Sequence, residues 1–155
     1  NIQQDAGRQI KEAENYIISK FPKYKKQIKM YYKNHRKMIN KTFDLSIQIL
    51  EELKNLNYSC YALSNWSAET FEGMDTDYPF LNNFEGILIS GQEKLAKPDP
   101  EIYKLAIDRF DLNPPNCVFI DDRLENIQTA QKLSFKVIHL TDPNTIRIKI
   151  EKFLN

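Results

Sequence analysis

Cys117-Val118-Phe119-Ile120-Asp121-Asp122 is the stretch on which the fold turns. Its four apolar residues do not alternate with polar ones, and they are too few for a standard helix. Such a run suits a parallel strand buried on both faces. Aspartate is disfavoured in a strand, so Asp121 at the end of this one asks for an explanation beyond packing. Three more short apolar runs follow the same pattern: Tyr58 to Leu63, Gly86 to Ile89 and Phe135 to Leu140.

Between these runs lie segments with readable helix starts. Ser67 is placed to cap a helix from Ala68, with Glu69 near its positive end. Asp99-Pro100 is an N-cap with proline at the first helical position, and Asp142-Pro143 repeats the device for a last helix reaching about Leu154. Strand and helix alternate from Tyr58 onward, which predicts an α/β domain with a doubly wound, Rossmann-like parallel sheet. Upstream, Asp44 to Leu56 reads as a helix with Ile47, Leu50 and Leu53 on one side. Phe21, Tyr24, Ile28, Tyr31, His35 and Met38 recur at spacings of three and four, one helical stripe. Residues 1–42 therefore read as the remainder of an N-terminal helical cap and 43–155 as the α/β core.

Composition narrows the class. Lys+Arg of 22 against Asp+Glu of 21 gives a net charge of +1, so no global attraction to nucleic acid or to an acidic membrane is expected. No apolar run approaches the roughly 20 residues needed to span a bilayer, and no signal peptide opens the chain. Cys60 and Cys117 sit in apolar runs and read as reduced, so a cytoplasmic protein is the expectation. The first residue is asparagine rather than methionine, which places the expected start upstream. Lys20 to Lys41 holds nine Lys or Arg and no acidic residue. Nucleic-acid binding is one reading of that run, and a solvated cap-helix face is the preferred one, because the tyrosines fall on the apolar stripe.

Ligands of open α/β sheets bind beyond the carboxyl ends of the strands. Ser64-Asn65 and Asp121-Asp122 occupy that position, and Lys97 lies in the loop after Ile89. The Ser64 hydroxyl and nearby backbone N–H groups suit phosphoryl oxygens, and a lysine ammonium suits the charge of a transferring group. Two adjacent carboxylates would repel phosphate unless a hard cation such as Mg²⁺ lay between them. Taken singly, each has a plainer account: a turn at Ser64-Asn65, a solvated Lys97, and Asp122 as N-cap of a helix from Arg123 to Leu133. Order and strand-end placement together favour a site. Lys97 is then expected to matter to turnover and little to folding. Trp66 is placed to line the pocket or to pack in the core. His35 and His139 show no ligand spacing and read as structural.

The stretch from Tyr61-Ala62-Leu63-Ser64-Asn65-Trp66 to Phe71 resembles the second motif of the haloacid dehalogenase-like superfamily. Ser90-Gly91-Gln92-Glu93 with Lys97-Pro98-Asp99-Pro100-Glu101-Ile102-Tyr103 is similar to its third. Phe119-Ile120-Asp121-Asp122 with Asn126-Ile127 and Ala130 is similar to its fourth. The resemblance runs from Asp44 almost to the end and is greatest to the small sugar-phosphate phosphatases with a helical cap. It implies that Ser64 and Asn65 bind the phosphoryl group, that Lys97 steadies it and the nucleophile, and that Asp122, with Asp121 beside it, holds Mg²⁺. The implied substrate is a small phosphorylated metabolite such as a sugar phosphate, attacked by an aspartate to give an aspartyl-phosphate that water hydrolyses.

The first motif, an Asp-x-Asp-like pair after a first, central strand, has no counterpart here. Asp5 follows no apolar strand and is not assigned that role. The chain alone is therefore expected to be inactive. Ser134 stands where the family usually has glycine, a small weakening of a helix C-cap.

Three alternatives remain in view. A 2-haloacid dehalogenase shares the fold but needs no metal, which leaves the Asp121-Asp122 pair unexplained. A receiver-type signalling domain carries its acidic pair at the first strand, ahead of the hydroxyl and lysine, whereas here the pair comes last. A non-catalytic binding remnant fits the missing first motif.

Overall fold

The computed structural model describes residues 2–39 and 41–154. Among these residues four short parallel strands form, β1 (Tyr61–Ser64), β2 (Gly86–Ile89), β3 (Val118–Asp121) and β4 (Lys136–His139). Among the described residues ten helices accompany them: α1 (Ile2–Asp5), α2 (Ile10–Lys20), α3 (Lys25–Lys33), α4 (Asp44–Asn55), α5 (Ala68–Phe71), α6 (Met74–Asp77), α7 (Ser90–Glu93), α8 (Pro100–Arg109), α9 (Leu124–Lys132) and α10 (Ile146–Ile150). Single 3₁₀ turns link several of them.

β1 pairs with β2, aligning Ser64 with Ile89, and β3 pairs with β4, aligning Asp121 with His139. Alternate side chains of a strand point to opposite faces, and the packing follows that rule. Phe119 and Val137 join Leu88, Ile102, Tyr103, Ala106 and Ala130 on the face covered by α8 and α9. Val118, Ile120 and Ile138 join Ile49, Ile146 and Ile150 on the face covered by α4 and α10. Helices on both faces of parallel strands make this a doubly wound, Rossmann-type α/β fold.

The two strand pairs are not hydrogen-bonded to each other. Between β1 and β3 lies a slot of about 820 Å³ whose walls include Leu63, Phe119, Ile120, Leu50 and Tyr103. No central strand joins the pairs among the described residues. This is also why β1 and β3 are only half-buried, although their composition predicts burial on both faces. Each has one neighbour and one open edge.

The predicted stripe of the first 40 residues does not form one helix. Pro22, lacking an N–H donor, sits in a 3₁₀ turn that separates α2 from α3, and α3 stops before a second such turn over His35–Met38. Phe21, Tyr24, Tyr31 and Met38 are exposed rather than packed, and α3 buries none of its described residues. Two helix caps behave as the sequence predicts, Asp99 Oδ1 accepting from the Glu101 N–H and Asp142 Oδ1 from the Asn144 N–H. The helix after Asp142 is broken, with α10 flanked by 3₁₀ turns at Pro143–Thr145 and Glu151–Phe153. Ser67 precedes α5 without a side-chain capping bond.

Candidate functional site

The ends of β1 and β3 flank the slot, and the loop after β2 is tied to both by three hydrogen bonds. The Lys97 N–H donates to Asn65 Oδ1, and Asn65 Nδ2 donates to the Lys97 carbonyl, both at 2.8 Å. This two-way clamp fixes the backbone of Lys97 against the end of β1. Its side chain then runs to β3, where Nζ donates to Asp121 Oδ2 at 2.7 Å. Only 9 % of the Lys97 side chain and 6 % of the Asp121 side chain remain accessible, so this is a buried ion pair.

Asp121 is held on its other oxygen too. Oδ1 accepts from the Arg123 N–H and from Asn126 Nδ2, each at 2.9 Å. Burial pushes the Asp121 carboxyl up, but Lys97 and these donors outweigh it and hold the pKa below the usual aspartate value. Asn126, buried on α9, is itself anchored through its carbonyl, which accepts from Tyr103 Oη at 3.0 Å. Burial, then the negative Asp121, pushes the Tyr103 hydroxyl pKa upward, so that group stays a neutral donor.

Asp122 differs in every respect. Its side chain is exposed and, among the described residues, has no hydrogen-bond or ion-pair partner, while its carbonyl accepts from His139 Nε2 at 2.9 Å. The N-cap alternative for Asp122 is not realised, since α9 begins after Arg123 without a side-chain cap. An unpaired carboxylate beside a satisfied one suits a cation, with Asp122 the free oxygen donor. No group of three or more His, Cys, Asp or Glu able to hold a metal occurs among the described residues. Mg²⁺ commonly keeps several waters and uses one or two carboxylates, so Asp122 and Asp121 fit a partial site of that kind.

The turn after β1 is pinned from below. The Trp66 N–H donates to Ser90 Oγ at 2.9 Å, and Ser90 is fully buried at the start of α7. Next to it, the Gly91 N–H donates to the Trp66 carbonyl at 3.0 Å. A Cβ on Gly91 would lie 2.5 Å from the Ala68 nitrogen and 2.7 Å from the Trp66 oxygen, so only glycine lets these two backbones meet. Ser64 ends β1, half-buried, and its hydroxyl makes no hydrogen bond among the described residues. The structure thus links Asn65, Lys97 and Asp121 directly and places Ser64 and Asp122 as their chain neighbours.

Trp66 lines a pocket of about 180 Å³. Asn65, Trp66 and Thr70 form its core side, and Asp5, Tyr32 and His35 its helical side. Asp5 follows no apolar strand, and His35 shows no ligand spacing and reads as structural, so neither was assigned a site role from the sequence.

A parallel α/β fold with lysine, carboxylates and a Ser-Asn turn collected at the strand ends defines a protein whose ligand edge is the carboxyl edge of its sheet. The chain belongs to the haloacid dehalogenase-like hydrolases, matching that family's profile over residues 2–140. It is 33% identical over 94 residues to the sesquiterpene phosphatase astK of Aspergillus oryzae, covering 61% of this chain and 48% of that protein. It is 28% identical over 93 residues to (S)-2-haloacid dehalogenase 4A of Burkholderia cepacia, covering 60% and 40%. A haloacid dehalogenase-family enzyme of Bacteroides thetaiotaomicron, solved with magnesium and inorganic phosphate, superposes with a TM-score of 0.56 at 28% identity over 61% of this chain and 50% of that one. A variant of it, also with magnesium and phosphate, superposes over 88% of this chain and 72% of that one, TM-score 0.69 at 23% identity. The chain spans about half or less of the length of these two curated relatives. No helix among the described residues is long and apolar enough to cross a membrane.

Proposed function

We propose that this chain carries the phosphate- and metal-binding part of a Mg²⁺-dependent phosphoric monoester hydrolase acting on a small phosphorylated metabolite. The observation that carries the reading is the buried Lys97–Asp121 pair beside the free carboxylate of Asp122, at the ends of β1 and β3. In this reading residues 1–42 belong to a cap and 43–155 to the core. Ser64 and the backbone around Asn65 hold phosphoryl oxygens, and Lys97 presents positive charge to the transferring group while keeping Asp121 ionised. Asp122, with Asp121 beside it, would hold Mg²⁺, which when bound offsets phosphoryl charge that two carboxylates would otherwise repel. The nucleophilic aspartate is assigned to a strand filling the slot between β1 and β3. The chain together with that strand is called the strand-complete protein below. The free thiols Cys60 and Cys117 support a reducing, cytoplasmic setting.

The dehalogenase reading has in its favour the similarity to (S)-2-haloacid dehalogenase 4A, 28% identical over 93 residues. The two separate cleanly. Strand-complete protein should release inorganic phosphate from phosphomonoesters in Mg²⁺ and lose that activity on chelation. Halide release from a 2-halocarboxylic acid in chelator, without phosphate release, would replace the phosphatase reading.

A further inference from the structure

The run from Lys20 to Lys41 reads as a solvated cap face only while its aromatic residues pack inward, and they do not. Every residue from Ser19 to Gln27 is exposed, and Phe21 and Met30 are each more than half accessible. Pro22 turns the chain between α2 and α3, which pack together, so Lys20-Phe21-Pro22-Lys23-Tyr24-Lys25-Lys26 forms the tip that joins them. Beyond the other end of α3, the His35 ring meets Trp66 edge to face at 6.0 Å. A helix of this length is about 13 Å long, so the tip stands away from the turn that carries Asn65.

The outward face of α3 is cationic. Ile28 and Tyr32 form its half-buried side, and its remaining residues are exposed. Lys25, Lys29 and Lys33 recur at every fourth position, with Lys26 and Met30 alongside them. No carboxylate pairs with these lysines among the described residues, and Arg36, the single arginine of the run, is already held by Asp77 at 3.2 Å. Like charges four residues apart repel and weaken a helix, so this row calls for a counter-charge from outside. Burying the four lysines against further protein would need paired carboxylates. The face therefore stays outermost whatever else packs on α2 and α3.

The residue types decide which polyanion fits. Nucleic-acid recognition favours arginine forks and open aromatic faces on which bases stack. Here eight of the nine cations are lysines. Lys20 and Lys23 lie over the rings of Tyr16 and Tyr24, with Nζ 4.5 and 4.9 Å from the centroids. An exposed phenylalanine flanked by lysines suits a bilayer instead, the ring entering the headgroup boundary while the ammonium groups stay level with the phosphates. We infer that the α2–α3 tip and the lysine face of α3 dock the protein on an anionic lipid bilayer, with Phe21 inserted and Lys25, Lys26, Lys29 and Lys33 facing the headgroup phosphates. The protein lies on such a surface and does not span it. The inference is independent of the phosphatase reading.

Co-sedimentation of strand-complete protein with vesicles tests it, in chelator so that the candidate cation site plays no part. The vesicles are phosphatidylcholine alone or phosphatidylcholine with phosphatidylglycerol, at about 0.1 M salt, where charge acts over about 10 Å. The protein should sediment with the anionic vesicles and not with the neutral ones. A single-stranded oligonucleotide at equal charge concentration should not strip it off. Each lysine near such a surface is worth about fivefold, so Lys25→Gln, Lys26→Gln, Lys29→Gln and Lys33→Gln together should weaken binding by on the order of 10². Arginine at the same four positions should retain it. Phe21→Ser should weaken binding about tenfold. All five side chains are exposed, so each variant should keep the parent's urea midpoint, measured alongside. Absence of sedimentation with anionic vesicles overturns the inference. So does unchanged vesicle affinity in the glutamine variant or in Phe21→Ser, or displacement by the oligonucleotide.

Discussion

Lys97 Nζ rests 2.7 Å from Asp121 Oδ2, with both side chains more than nine-tenths buried, whereas Asp122 next door stands exposed and has no partner among the described residues. The ammonium is thus committed to one of the two carboxylates. In the proposed site Asp121 therefore orients Lys97 as well as standing beside the cation, and Asp122 supplies the carboxylate that has no partner among the described residues. The sequence placed the three residues together without this division of labour.

Lys97→Ala should lower the kcat of strand-complete protein on a phosphomonoester by on the order of 10² or more. The sequence alone predicts little effect on folding, but burial changes that expectation. Removing one partner of a buried ion pair costs about 3–5 kcal/mol, and the donors from Arg123 and Asn126 should keep the loss at the lower end. Chemical denaturation and steady-state kinetics on the same variant check both. Turnover within a few-fold of the parent returns Lys97 to a purely structural role.

Asp122→Asn should abolish Mg²⁺-dependent phosphate release while leaving the unfolding midpoint nearly unchanged, because the exposed carboxylate has no partner among the described residues. Chelator should have the same effect on the parent. Full activity in Asp122→Asn, or activity that survives chelation, removes metal-assisted phosphoryl transfer.

The depressed pKa of Asp121 carries a pH signature. A carboxylate whose folded pKa lies below its unfolded value, near 3.9, stabilises the fold fully above that unfolded value. The contribution disappears as pH falls through the folded pKa. Metal-free strand-complete protein should therefore lose stability below about pH 4, and Asp121→Asn should be less stable at neutral pH with a flatter acid limb. Urea midpoints measured from pH 7 to pH 2 test this, and parallel limbs for the two proteins would contradict it.

Gly91 offers a test of how the site is pinned. A methyl group there would press on the Ala68 nitrogen and Trp66 oxygen, both backbone atoms that cannot swing aside. Gly91→Ala should destabilise strand-complete protein by about 1–3 kcal/mol, the usual cost of overpacking, and weaken phosphate affinity by moving the turn that carries Asn65. A neutral effect on both would show that the two backbones separate easily.

The parts of this fold legible in the sequence are those written in local chemistry. Gly86–Ile89 is a strand with the bounds its apolar run suggests, and Asp99-Pro100 starts a helix as its residue types require. β1 begins at Tyr61 rather than Tyr58 because Asn57 adopts φ +62° and the Tyr58 N–H returns to the Leu53 carbonyl, closing α4. At Ser134 the backbone takes φ +68° and the Phe135 N–H reaches the Ala130 carbonyl, so serine fills a position better suited to glycine. The pocket joining Asp5 and His35 to Trp66 was not legible. It depends on the approach of segments 31 and 61 residues from Trp66, and neither residue has ligand spacing in the sequence.

The largest consequence lies in the slot between β1 and β3. Both flanking pairs are parallel, so a strand entering it would run the same way and bring its carboxyl end between Ser64 and Asp121. Ala62 and Leu63 of β1 and Val118, Phe119 and Ile120 of β3 line the slot, so a strand about as long as these two would fit against both open edges. Five to ten ladder hydrogen bonds at about 1 kcal/mol net each are comparable with the whole stability of a domain, about 5–15 kcal/mol. Residues 1–155 alone should thus be marginally folded and inactive on any phosphate ester. Joining or adding a short apolar strand that ends in an Asp-x-Asp-like pair should restore a cooperative unfolding transition, protect the amides of β1 and β3 from hydrogen exchange, and confer Mg²⁺-dependent hydrolysis. The same strand with its aspartates changed to asparagine should restore folding without hydrolysis. A chain that unfolds cooperatively and hydrolyses phosphate esters with the slot empty would place the nucleophile within residues 1–155 and overturn this assignment of roles.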